Sequence, residues 1–397
     1  VLVSTVELAW RARRAGTLGL TGTASLGLDW GAVITRKNRL VSDWSAGKPE
    51  SLGRQGIAVL RGPARFVGPR ELEIAGQRVS AERIVIATGS APARPSIPGI
   101  EHALTSTELL DLTARPERLV VIGGGYIGME FAFIFGRAGA RVTVLQSGPY
   151  VLPAADDELR DALVALAPDA GVDIRTQARV TRVAADRTVE AEIAGRTERF
   201  PADVVLVATG RPANTAGLGL EVAGVAVERG AVTVNEYRQS LTAPHVYAAG
   251  DVTGQHQHTP AAWYEGRLVA ENALKGNHRA VDFRVFPSTV FTIPPLAQVG
   301  LTEGEARRQG FRVGVTRAPF VDSSAAGVRD ETEGLVKVVY DEPSDRVLGV
   351  HILGAGAEDL IHIAAVAMRG GLGRQDVAAL HYVFPTLAGS VFDAMWG

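Results

Sequence analysis

Gly123-Gly-Gly125-Tyr-Ile-Gly128 follows a β-branched run, Leu119-Val-Val-Ile122, and opens a stretch of helical character from Tyr126 to Ala138. A G-x-G-x-x-G pattern between a strand and a helix narrows the possible folds more than any other feature of the chain. The tight turn, the close approach of backbone to a pyrophosphate and the close packing of helix on strand each need a residue without Cβ. The helix N-terminus then supplies an anion site. The plainer reading is an ordinary glycine turn in an α/β sheet. Against it stands a second strand, Arg141-Val-Thr-Val-Leu145, at the distance that the dinucleotide fingerprint requires. Gly123, Gly125 and Gly128 are therefore candidate nucleotide-binding residues. The second strand ends at Gln146, where an acid would bind the 2′-hydroxyl of an NAD ribose. A neutral amide followed by Ser147 does not repel a 2′-phosphate, so NADPH is admitted and the balance favours it. The lack of an adjacent arginine keeps NADH open.

The same alternation of strand, glycine turn and helix runs through most of the chain. Arg83-Ile-Val-Ile-Ala-Thr-Gly89 and Asp203-Val-Val-Leu-Val-Ala-Thr-Gly210 read as buried strands ending in glycine turns, with a helical stretch from Asp156 to Ala167 in between. Strand-helix alternation of this kind indicates parallel sheets and an α/β class. The repeated Ala-Thr-Gly suggests two similar domains joined. A third strand edge, Val246-Tyr-Ala-Ala-Gly250-Asp251, presents a carboxylate suited to a polyol chain, although a lone aspartate in that position more often caps a turn. Beyond it, Thr259 and Pro260 read as N-cap and first residue of a helix running through Trp263 and Ala270. The positive end of that helix would favour an anionic ligand, including a reduced flavin ring. From Asp282 onward, Val285 to Thr292, Gly334 to Tyr340 and Arg346 to Leu353 read as antiparallel strands, the last two joined by the turn Asp341 to Asp345. Thr302 and Glu305 form a capping-box pattern, and Glu358 to Arg369 is apolar along one side. This last region reads as a separate α+β interface domain.

Composition sets the outer limits. The 397 residues carry 41 Lys plus Arg against 43 Asp plus Glu, a net charge of −2, so nucleic acid and anionic membrane are not expected partners. With 46% apolar residues the length suits two or three domains. No apolar run approaches the roughly 18 residues of a membrane span and no basic-then-apolar leader opens the sequence, so the expectation is a soluble, cytoplasmic protein. The chain has no cysteine, which removes a thiolate metal site and a cysteine nucleophile from these residues, and no metal is expected.

Taken together, these segments resemble the class I pyridine nucleotide-disulfide oxidoreductases, flavoproteins that include glutathione reductase, dihydrolipoamide dehydrogenase and mercuric reductase. The similarity runs in order through Arg61-Gly-Pro-Ala-Arg-Phe66, the first Ala-Thr-Gly, Gly123 to Glu130, Ala-Thr-Gly-Arg-Pro212 with Asn214, Ala-Gly-Asp-Val252 and Val299-Gly-Leu-Thr-Glu303. The resemblance implies two Rossmann-like dinucleotide-binding domains and a C-terminal α+β dimerisation domain. Residues 1–102 and 232–280 would form a discontinuous FAD domain, 103–231 an inserted NAD(P) domain, and 281–397 the interface of a homodimer. It implies cofactor contacts at Ala64, Ala87, Thr88, Gly89, Gly250, Asp251 and Thr259, and at Gly123, Gly125, Gly128, Gln146, Ser147, Val180, Gly210 and Arg211. Tyr126 resembles the tyrosine that covers the flavin until nicotinamide displaces it, and Glu130 the glutamate that pairs with a lysine beside the flavin. The plainer alternatives are a core aromatic and a solvated helix glutamate. The family's first strand, its FAD-side glycine loop, that lysine and its redox Cys-x4-Cys would precede Val1, so an upstream segment is expected.

The sequence departs from the family where disulfide chemistry needs a base. In place of His-Pro-Thr-x-x-Glu stands Phe384-Pro-Thr-Leu-Ala-Gly389-Ser390, and neither Phe384 nor Gly389 can move or orient a proton. His381 lies three residues earlier and reads as an ordinary surface or core histidine. A C-terminal cysteine pair of the mercuric reductase kind is absent from the Trp396-Gly397 end. The reading is an FAD-dependent NAD(P)H oxidoreductase that passes electrons to a quinone, a dye or another small-molecule acceptor. The alternatives are a dithiol-disulfide enzyme with its cysteines upstream of Val1, and a flavin-binding relative without turnover.

Overall fold

The computed structural model describes residues 1–397 and separates into two compact units. Residues 1–38, 94–209 and 284–397 form one, and residues 39–93 and 210–283 form the other.

The larger unit contains a parallel sheet in the order Val204–Val207, Arg118–Ile122, Arg141–Leu145, Val172–Arg175. The central strands are apolar on both faces because both are covered: the helix Tyr126–Arg137 packs Met129, Phe131, Phe133 and Phe135 on the side of Leu119, Val121 and Val144, and Val120, Ile122, Val205 and Val207 pack on the other side against Val183, Val189 and Ala191. An antiparallel sheet of Arg179–Val183, Val189–Ile193 and Arg196–Phe200 fills the crossover to Val204. The first residues pack on this unit. Leu2 and Val6 of the helix Leu2–Arg14, and Trp30, Val33 and Ile34 beyond it, share the core of Phe131 and Phe135, with the Trp30 and Phe135 rings 4.9 Å apart. That buried aromatic contact draws residues 1–38 into this unit.

The same unit carries a five-stranded antiparallel sheet in the order Ser288–Val290, Leu296–Gly300, Arg346–Leu353, Leu335–Asp341, Val313–Pro319. The expected strand Val285 to Thr292 shortens to Ser288–Val290, ahead of Pro294 and Pro295. The expected capping box is present, with Thr302 Oγ1 accepting from Glu305 N–H before the helix Glu303–Arg308. Helix Ala357–Gly370 lays Leu360, Ile361, Ala364 and Ala367 on the sheet, and Ala388–Trp396 closes the same core.

The smaller unit is built on the parallel pair Ile84–Ile86 and Val246–Ala248, with the antiparallel strands Ala64–Gly68, Glu71–Ile74 and Gln77–Ser80. Its core includes Phe66, Ile84, Ile86, Leu220, Val246 and Val252. The helix Thr259–Lys275 starts one residue earlier than expected, because His258 keeps extended backbone and Thr259 is already helical. Thr259 is therefore the first residue of the helix and not its cap. No helix of the chain is long and apolar enough to cross a membrane.

Candidate cofactor sites

The glycine loop in the larger unit divides its labour residue by residue. Gly123 sits at φ +108°, and a Cβ there would meet the Ala208 carbonyl oxygen at 2.5 Å. A Cβ on Gly128 would lie 2.0 Å from the Gly123 oxygen, so this glycine lets the helix close onto the strand. Gly125 differs from both. It has an unstrained extended conformation, and nothing lies within 4 Å of the Cβ it lacks. Packing within the chain does not require glycine there, and the open cradle over the N-terminus of a 12-residue helix suits a group brought in from outside. A pyrophosphate fits this geometry.

Gln146 plays a different part from the one its position in sequence suggests. Its Oε1 accepts the Gly124 N–H at 2.9 Å, so the side chain braces the loop with one end and leaves its amide nitrogen for other partners. Ser147 is exposed beside it, and Val180 is half-buried against the core beneath the antiparallel sheet. From the other side, Leu152 N–H donates to the Gly124 oxygen at 2.8 Å, and Val151 packs so closely that a Cβ on Gly124 would meet its Cγ1 at 2.5 Å. Leu152 holds a left-handed φ of 45° to do this.

Tyr126 opens the helix half-buried, its ring against the core, and Glu130 lies one turn further on. The Glu130 Oε1 accepts the Phe291 N–H at 3.0 Å. Burial raises the Glu130 carboxyl above its ordinary value, against the pull of that hydrogen bond. The side chain is thus half-buried and held at the backbone of Phe291.

In the smaller unit the first Ala-Thr-Gly edge is held by the segment that follows the second. Asn214 donates its N–H to the Gly89 oxygen at 2.9 Å and its side-chain amide to the Thr88 oxygen at 3.0 Å, while Thr88 Oγ1 donates to the Asn214 oxygen at 2.7 Å. Ala87 and Thr88 are left exposed along the edge, as is Ala64 at the start of its strand. Asp251 accepts from Ser90 Oγ at 2.6 Å, and Ser90 Oγ in turn accepts from Arg211 Nε at 2.9 Å. Arg211 also donates to the Ser90 carbonyl. Arg211 therefore belongs to the Asp251 network of this unit, next to Gly210, which accepts the Ala93 N–H, and no local signal pointed to Ser90 as the link. One Asp251 oxygen, Oδ1, remains available to a polyol hydroxyl. A flavin nucleotide's ribityl and phosphate chain fits this edge, where Gly89 at φ +70° has open space about its missing Cβ.

Sequence reasoning missed the support under Asp251. Glu265, fully buried, accepts the Gly250 N–H at 2.7 Å and lies 2.8 Å from the buried Arg238 as an ion pair, though not aligned as a hydrogen bond. Arg238 reaches on to Gln255 Oε1 at 2.7 Å, and its backbone oxygen accepts the Ala248 N–H. Burial raises the Glu265 carboxyl despite the Gly250 and Arg238 contacts. No signal in sequence pairs the two, since Arg238 lies among polar residues from Asn235 to Ser240 and Glu265 stands two residues from Arg267.

Near the C-terminus, Phe384 and His381 are exposed, and Gly389 is buried against Tyr382. A Cβ on Gly389 would lie 3.0 Å from the Tyr382 ring, which is itself stacked on Phe392 at 5.0 Å. The ring occupies the direction in which any side chain at 389 would leave the backbone. No group of three or more acidic or histidine side chains is arranged to hold a metal ion.

Comparison with known proteins places these features in one family. The model described as "Pyridine nucleotide-disulphide oxidoreductase" matches residues 25–266, and that of its dimerisation domain matches residues 286–395. Mercuric reductase of Bacillus cereus is 35% identical over 389 residues, covering 96% of this chain, which spans 61% of that protein's length. Glutathione reductase of Burkholderia cepacia is 35% identical over 92% of this chain and 82% of its own. Dihydrolipoyl dehydrogenase of Thermus scotoductus is 40% identical over 85% and 74%. The solved structure of the HOCl-induced flavoprotein disulfide reductase RclA from Escherichia coli superimposes with a TM-score of 0.86 at 33% identity, over 93% of this chain and 86% of that one.

Proposed function

The chain belongs to the pyridine nucleotide-disulphide oxidoreductase family, and on that premise we propose that it carries electrons from NADPH or NADH through FAD to a quinone or another small acceptor. FAD and a nicotinamide nucleotide are the cofactors of the family. The chemistry that bound FAD would supply is acceptance of a hydride from nicotinamide and return of electrons to an oxidant. The protein's contribution is binding and orientation. Gly123, Gly125 and Gly128 hold the nucleotide pyrophosphate, Gln146 braces the loop, and Tyr126 stands at the helix start. Asp251 takes a ribityl hydroxyl, with Ala64, Ala87, Thr88, Gly89, Gly250 and Thr259 along the flavin edge. Glu130 holds a raised-pKa carboxyl within reach of the same helix face. In this reading residues 1–102 and 232–280 serve FAD, 103–231 serve NAD(P), and 281–397 form the contact of a homodimer.

The observation that carries the choice of acceptor is the Phe384–Gly389 segment. Disulfide reduction in the family's usual manner needs a base and an acid to orient it. Here an exposed phenyl ring replaces the first, and a glycine crowded by the Tyr382 ring replaces the second. Hydride transfer needs neither. A dithiol-disulfide enzyme is the second reading, favoured by the names of its relatives. Anaerobic stopped-flow separates the two. We expect the flavin of the full-length protein to bleach on mixing with NADPH and to recover rapidly with a quinone or dye, and slowly with lipoamide or glutathione disulfide. Rapid turnover of either disulfide would overturn the reading.

A further inference from the structure

Lys337 lies in the middle of the strand Leu335–Asp341, directly opposite His351, which is itself opposite Gln298 on the next strand. With Arg317 opposite Lys337 and Ser288 opposite Gln298 at the two ends, these side chains form a polar row across the sheet, and Lys337 and His351 are buried. The row meets the segment 151–156, which follows the strand Arg141–Leu145 and packs back on the dinucleotide loop. Lys337 Nζ donates to both oxygens of Asp156, at 3.0 and 3.1 Å, and lies within 3.1 Å of Glu158 and 3.0 Å of Glu303. Gln298 Nε2 donates to the Ala154 oxygen at 3.3 Å. Asp156 also caps the helix Asp157–Leu166 through the Glu158 N–H. At the other end of this short segment, Leu152 N–H holds the Gly124 oxygen and Val151 packs on Gly124.

We propose that Lys337 is a positioning residue for the nicotinamide nucleotide, acting from the interface-domain sheet through Asp156 and the segment 151–156 to set the glycine loop. This rests on the dinucleotide reading of that loop. Leu152 keeps a left-handed backbone only while both ends of its segment are pinned, since such a conformation persists where its surroundings over-determine it. Gly124 is fixed from two sides, by Gln146 and by Leu152, and Lys337 anchors the second. With the anchor lost, Leu152 relaxes and the Gly124 backbone is released from one of its two restraints. Lys337 touches neither cofactor nor substrate.

The test uses the full-length holoprotein with Lys337→Met, Lys337→Arg and the double variant Lys337→Met with Asp156→Asn. The double variant removes the stranded buried carboxylate and retains an N-cap, so it decides the matter where the single variant fails to fold. Two readouts are taken: amide hydrogen exchange at Leu152, and the dissociation constant for NADPH by calorimetry. We expect Leu152 exchange to accelerate and NADPH to bind roughly tenfold more weakly in the Met variants, with Lys337→Arg recovering both. Unchanged exchange and affinity in a folded double variant would overturn the proposal. Exchange needs no nucleotide, so a wild-type protein that binds no nicotinamide overturns the dinucleotide reading while leaving the anchor itself measurable.

Discussion

At the scale of single residues, the glycines that share one motif separate by what their missing Cβ would touch. Gly128→Ala drives a methyl into the Gly123 carbonyl, and overpacking of this kind costs about 1 to 3 kcal/mol. Gly125→Ala meets nothing and keeps an ordinary backbone, so its effect on stability should fall within about 0.5 kcal/mol. We expect thermal melts to show the first variant destabilised and the second not, while nucleotide titration shows both weakened. A Gly125→Ala protein with wild-type affinity would place the pyrophosphate elsewhere. Asp251 is the corresponding residue on the flavin edge. Asp251→Ala removes a charged acceptor worth about 1.5 to 3 kcal/mol and strands Ser90, so flavin should be lost on dilution or gel filtration. Retention equal to wild type would remove Asp251 from the site.

Individual strands and helices were legible to the extent that their signals were local. The Arg118–Ile122 strand, the Tyr126 helix, the capping box at Thr302 and the Arg346–Leu353 strand follow from periodicity and turn residues. What escaped was long-range pairing. Nothing near Arg211 in sequence points to Ser90, nor near Lys337 to Asp156, because such contacts are set by which strands become neighbours. The buried row on the antiparallel sheet also titrates. Burial pushes the His351 imidazole below its ordinary 6.5, against the pull of Asp156 and the Leu301 carbonyl and with the help of Lys337. Its Nδ1 has no hydrogen-bond partner. A lowered folded pKa means that the unfolded chain takes up the proton first. The stability held above pH 6.5 is therefore lost as pH falls below it. Asp156 adds a second loss at lower pH. Burial raises its pKa, but His351, Lys337 and the Glu303 N–H outweigh this and hold it below 3.8. Melting temperature should fall between about pH 7 and about pH 5, and His351→Gln should flatten that limb. A wild-type melt independent of pH over this range would contradict the assignment.

For the molecule as a whole, the dimerisation-domain match and the exposed apolar side chains of the C-terminal region point the same way. Val366, Val383, Phe384 and Trp396 are each more than 70% exposed on residues 281–397, within the matched dimerisation domain or at its end. An obligate contact of the family's kind buries on the order of 2,000 Å² or more. Sedimentation should find a dimer at micromolar concentration, and Val366→Glu with Val383→Glu should shift it toward monomer. A monomeric wild type would defeat the homodimer. The packing of Tyr382 over Gly389 carries a further consequence as well. A side chain at 389 would have to push that ring aside by a few tenths of an ångström, and a histidine at 384 without an acid at 389 has no partner from that position to orient it. Installing a proton relay here would thus take substitutions at 384 and 389 together with a shift of the Tyr382 ring, neither substitution being useful alone.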